Sequence, residues 1–119
     1  MAVESITPPP VLDLEGTLAR FGGDKQLFVE MTGILLEDAP RLIEELGTAI
    51  VAKNASDVRA RAHSIKGLLA GCGGVRAAKV AQALEDAGSR GDLSQTDSLV
   101  ETLAAEFEQL ERALNECRG

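Results

Sequence analysis

The sequence predicts an all-α protein, an up-down antiparallel four-helix bundle with a short additional N-terminal helix. Three observations carry this. Apolar residues recur at spacings near three and four along four long segments, the period of one helix face. The apolar residues are mainly Leu, Ile, Val and Ala, and Phe21, Phe28 and Phe107 are the only aromatics. That composition suits packed helices better than a sheet. The segments are joined by a few residues each, which sets consecutive helices side by side and antiparallel.

Residues 1–10 read as a flexible Pro-rich leader ending in Thr7-Pro8-Pro9-Pro10, and residues 11–119 as the bundle domain. Asp13 caps a short helix that stops at Gly22-Gly23. Asp24 caps a long helix whose stripe is Phe28, Met31, Leu35, Leu42, Leu46 and Ala49. Pro40 removes one backbone hydrogen bond inside it, which predicts a kink rather than an end, because the stripe resumes in phase. Asn54 opens a third helix with the stripe Val58, Ala62, Ile65, Leu69 and Cys72. The cluster Gly71-Cys72-Gly73-Gly74 ends it. A fourth helix is expected from about Val75 to Ala87, with Ala77, Val80, Ala81 and Leu84 inward. Gly88-Ser89-Arg90-Gly91 reads as a turn. Asp92 is expected to cap a last helix carrying Leu93, Val100, Leu103, Phe107, Leu110 and Leu114.

Composition excludes several functions. The 119 residues hold 19 acidic and 12 basic side chains, a net charge of −7. Nucleic-acid binding needs the opposite balance. No apolar run is long enough to span a membrane, and the N-terminus lacks a secretory signal. Cys72 and Cys117 are far apart, and without an export signal they are expected to stay reduced in the cytoplasm. One histidine and two separated cysteines make a poor metal site, so no metal is expected. A monomer is expected, and Met1 with an end close behind the last helix suggests a free-standing protein.

The single histidine, His63, is the focus. At about 100° per residue it points roughly 140° away from the third helix's apolar stripe, so it faces out while Ala62 faces in. Gly67, one turn on, also points away from the core. In a helix interior glycine costs roughly 1 kcal/mol relative to alanine, and packing within the bundle does not explain it. A missing side chain lets another molecule approach the ring, and Ala70 and Gly71 extend the same clearing. Charge gathers here too. Residues 55–79 hold Arg59, Arg61, Lys66, Arg76 and Lys79 against Asp57, a local balance of +4, so the other 94 residues carry −11.

An exposed imidazole beside a cation and a gap suits phosphoryl transfer. The neutral ring is a competent nucleophile near pH 7, and Lys66 can offset phosphoryl charge. A serine hydrolase is disfavoured, because adjacent Ser64 cannot face His63 on a helix. Gly71-Cys72-Gly73-Gly74 lacks the Gly-Lys-Ser/Thr of a nucleotide-binding loop. The phosphoryl group is therefore expected from another protein. The competing reading is a non-catalytic helical adaptor, with His63 incidental.

The run Ala62-His63-Ser64-Ile65-Lys66-Gly67, then Gly73-Gly74 and Leu84-Glu85, resembles the signature of histidine-containing phosphotransfer (HPt) domains. Phe21-Gly22-Gly23-Asp24 and Leu36-Glu37-Asp38-Ala39-Pro40 are similar to the family's flanks, and the resemblance covers roughly residues 12–114. It implies a four-helix bundle without kinase activity that shuttles phosphoryl groups between aspartates of receiver domains. It makes His63 the acceptor through the ring nitrogen farther from the backbone, Lys66 the charge stabiliser and Gly67 the point of access. Arg59, Ala70 and Gly71 become the receiver docking surface. It implies response-regulator receivers or a hybrid sensor kinase as partners, with Mg²⁺ held by the receiver; the alternative is a non-catalytic helical adaptor that binds a receiver domain or kinase. Many members have Asn at the position of Gly71 and Ala at that of Gly74, so a looser end to the third helix is expected here.

Overall fold

The computed structural model describes residues 9–118, and the predicted leader therefore lies mostly outside the described residues. Five helices follow in order: α1 Leu14–Arg20, α2 Lys25–Val51, α3 Ala55–Gly71, α4 Val75–Arg90 and α5 Thr96–Arg118. Among the described residues there is no strand. None of the helices is long and apolar enough to cross a membrane.

Local chemistry sets three of the starts as the sequence predicts. The carboxylates of Asp13 and Asp24 and the side-chain oxygen of Asn54 each accept a backbone N–H from three residues on, at 3.0 Å. Helix α2 runs unbroken through Pro40, which sits on its exposed face.

Two boundaries differ from expectation. Helix α4 does not stop at Ala87 but continues through Gly88, Ser89 and Arg90. Gly88 is buried because α3 lies directly against it: a Cβ there would stand 2.6 Å from the Arg59 nitrogen and 2.8 Å from the Ala55 carbonyl oxygen. The turn is left to Gly91, whose φ of 70° is the left-handed conformation that closes helices. Asp92 does not cap the last helix. Its carboxylate accepts from the backbone N–H and the hydroxyl of Ser94, at 3.1 and 2.7 Å, and α5 begins only at Thr96. A local aspartate turn outcompetes the cap.

The helices pack in a ring. Helix α3 lies against α2 and α4, and α5 lies against α4 and α2, so α3 and α5 are diagonal. The predicted stripes supply the core. Leu35, Leu46, Val58, Ala62, Ile65, Leu69, Ala81, Leu84, Leu103, Leu110 and Leu114 are fully buried. Met31, Leu42, Val80, Leu93 and Val100 pack at its edge.

The end of α3 is firm rather than loose. Cys72, Gly73 and Gly74 are all buried. Helix α1 docks there, with the Asp13 N–H donating to the Gly73 carbonyl at 2.8 Å. Gly73 has φ +84°, and a Cβ would strike Thr17 of α1. A Cβ on Gly74 would come within 2.5 Å of Leu110. The small residues admit α1 and α5 to the loop.

Candidate functional site

His63 stands on the outer face of α3 with 67% of its side chain exposed, while Ala62 beside it is fully buried. Helical phase thus turns His63 out and Ala62 in, as expected. The ring is not idle. Its Nδ1 lies 3.1 Å from the Oε2 of Glu85, on the neighbouring α4. An ionised carboxylate only accepts, so Nδ1 carries the proton and donates. The lone pair then belongs to Nε2, which has no partner among the described residues.

Lys66 joins the same carboxylate. Its Nζ is 2.7 Å from Glu85 Oε1 and donates to Gln82 Oε1 at 3.0 Å. Gln82 donates through its amide nitrogen to Asp86 at 2.8 Å, which fixes its oxygen toward Lys66. Lys66 is therefore brought to His63 through a shared anion. Bonding to the Lys66 ammonium holds the Glu85 carboxyl below its ordinary value; partial burial opposes this, and the His63 contact adds to it. Glu85 had no role assigned from the residues alone, and Gln82 had none at all. Both lie on another helix, and no spacing within α3 could reveal them.

Gly67 is exposed, and a Cβ on it or on Gly71 would meet nothing within 4 Å. The clearing beside the histidine is real, and no neighbour requires either glycine. Ala70 is exposed, and its carbonyl accepts from the Arg20 guanidinium of α1 at 3.1 Å. Arg59 is exposed one turn before His63.

The positive cluster is partly neutralised. Arg61 pairs with Glu45 at 2.9 Å and with Asp57 at 3.4 Å, Arg76 with Glu106 at 2.9 Å, and Lys66 with Glu85. Among the described residues Arg59 and Lys79 make no ion pair, and Arg20 adds a third such cation from α1. Cys72 and Cys117 are free thiols, one buried and one exposed. Among the described residues, no three His, Cys, Asp or Glu side chains converge as a metal site.

A firm, buried bundle that holds one exposed histidine by Nδ1 presents Nε2 as a nucleophile. Comparison with known proteins agrees with this architecture. The family model described as Hpt domain matches residues 30–113. No curated protein matches the chain. The fold is similar to the crystal structure of histidine-containing phosphotransfer protein B from Pseudomonas aeruginosa PAO1. The TM-score is 0.85 at 24% identity, covering 93% of this chain and 96% of that one. The matched segment spans α3, α4 and most of α2 and α5, including His63 and its partners, and the chain belongs to the Hpt domain family, the histidine phosphotransfer proteins of phosphorelays.

Proposed function

We propose that the protein carries a phosphoryl group on Nε2 of His63 and shuttles it between aspartates of receiver domains, without kinase or ATP-binding activity of its own. The observation that supports this most is the tie from Nδ1 to Glu85, which leaves Nε2 as the free nucleophile of an exposed ring. In the proposed step the Nε2 lone pair attacks phosphorus in line. The bond from phosphorus to the receiver's aspartyl oxygen breaks, and that oxygen leaves as a carboxylate. No proton has to move. The product is a phosphoimidazolium that keeps its Nδ1 proton, and Glu85 offsets its positive charge. Lys66, paired with Glu85 at 2.7 Å, turns to the phosphoryl oxygens in this step. Gly67 leaves room for the donor, and Arg59, Ala70 and Gly71 form part of the docking face. Mg²⁺ is assigned to the receiver's acidic pocket. The partners are receivers, alone or within a hybrid sensor kinase, and the carrier is a cytoplasmic monomer. The two free thiols are consistent with a reducing compartment.

The test is transfer from phosphorylated receiver domains, with the bound phosphate examined for lability. We expect a label lost in acid, stable in base and absent from His63→Gln, a variant whose exposed position leaves the fold intact. A label that persists in His63→Gln with the same lability refutes the site. Binding of receivers without any label supports the adaptor reading instead.

A further inference from the structure

Beside Lys66 the surface opens into a groove of about 660 Å³ between α1, the end of α3 and the start of α4. Ala70, Val75 and Ala78 give it an apolar floor, and Arg20, Lys66 and Lys79 stand around it. Its one carboxylate, on Asp13, is turned to the Gly16 N–H as the cap of α1. Arg20 is held in place, since its guanidinium donates to the Ala70 carbonyl at 3.1 Å, in the last turn of α3. That is the negative end of the helix, where a cation is favoured. Arg20 and Lys79 have no carboxylate partner among the described residues, in a chain whose net charge is −7. The groove is thus a local positive, apolar-floored recess on an acidic molecule. It shares Lys66 with the phosphoryl site.

We infer that this groove seats an acidic, apolar-centred segment of the donor receiver, and that Arg20 and Lys79 select which receivers dock. The inference rests on the reading of His63 as a receiver-fed carrier. Charge complementarity identifies the occupant: a receiver that brings an acidic phosphorylation pocket to His63 also brings negative potential over the adjoining recess. It assigns a function to α1, the helix outside the four-helix ring. Helix α1 supplies Arg20 and one wall of the groove, so docking extends from His63 toward the α1 end of the bundle.

The experiment compares two routes to phosphohistidine in the full-length protein. One uses phosphorylated receiver domains, and the other uses phosphoramidate, a small donor that needs no docking groove. The readout is the ratio of the two rates in Arg20→Glu, Lys79→Glu and the double variant. Arg112→Glu, on the diagonal helix α5, controls for the change in net charge that each single variant carries. We expect the double variant to lower the ratio about tenfold or more at low ionic strength, with the difference shrinking as salt rises. Lys79→Glu alone, which breaks no hydrogen bond with α1, should lower it several-fold. A ratio that falls no further than in Arg112→Glu overturns the inference. So does a change in self-association with receiver transfer unaltered, which would give the groove to a second copy. Wild-type protein labelled by neither route refutes the carrier reading itself, which keeps the two failures distinct.

Discussion

Two glycines in helix interiors should respond to the same substitution with opposite signs. Replacing glycine by alanine inside a helix gains roughly 1 kcal/mol through backbone entropy. At Gly67 a Cβ meets nothing within 4 Å, so that gain stands alone. Gly67→Ala should be more stable by about 1 kcal/mol, or about 4 °C for a domain of this size. At Gly88 the Cβ would lie 2.6, 2.8 and 2.9 Å from backbone atoms of Ala55 and Arg59, where ordinary contacts begin at 3.4 Å. Backbone cannot rotate aside, so α3 and α4 must separate. Overpacking of this kind costs about 1–3 kcal/mol, and contact with backbone on all sides puts Gly88 at the upper end. The net loss is then about 1–2 kcal/mol, and the two variants should differ by roughly 2–3 kcal/mol. With no Trp or Tyr in the chain, urea unfolding is best followed by circular dichroism, with the slope checked for constancy. A destabilised Gly67→Ala would reveal a packing role for that glycine and remove the argument that it is kept for access. Gly67→Gln carries the functional half: equal or greater stability with slower transfer. Unchanged transfer refutes the access role.

Glu85→Gln removes the anion shared by His63 and Lys66, and transfer should slow about tenfold, roughly 1.4 kcal/mol in the barrier; an unchanged rate would leave Glu85 no part in the chemistry. The Glu85 carboxyl is held below its ordinary value of 4.5 in the folded protein. Its contribution is therefore complete above that pH and lost as pH falls through the lowered value. The stability difference between wild type and Glu85→Gln should fall as pH drops below about 5 and vanish in acid. A thiol reagent should label Cys117 rapidly and Cys72 only on unfolding, since burial pushes the Cys72 thiol up and its side chain is 1% exposed. Rapid double labelling of the native protein would contradict the packed end of α3.

What the sequence made legible is what helical phase controls. Ala62 in and His63 out follow from one rotation of 100°, and both hold. The caps at Asp13, Asp24 and Asn54 are local events three residues long, and they hold too. The misreadings share a physical cause. Gly88 looked like part of a turn because its neighbours Ser89, Arg90 and Gly91 are turn residues, but its place is fixed by α3, about thirty residues earlier. Asp92 had two local uses, and the Ser94 turn won. The site was half visible for the same reason. Lys66 and Gly67 share a helix face with His63, whereas Glu85 reaches it from 22 residues away and Gln82 reaches Lys66 from 16. The charge cluster was overcounted, because Glu45 and Glu106 come from other helices to pair with Arg61 and Arg76.

The placement of Glu85 also bears on why an acidic residue belongs beside a group proposed to accept a phosphoryl anion. Its charge does not face the incoming phosphate. One oxygen is occupied by the Nδ1 side of the ring and the other by Lys66. In the proposed transfer the attacking ring is neutral, beside one anion and one cation. Afterwards the ring is positive and the phosphate negative. The carboxylate then sits on the ring's positive side, and the ammonium is available to the phosphate's negative side. The same two charges serve both states with a short swing of Lys66, so neither state leaves a charge uncompensated. Such a balance favours neither state through an unpaired charge, which suits the proposed carrier that both receives and gives. Moving that balance in either direction, by removing the carboxylate or the ammonium, should change forward and reverse transfer unequally.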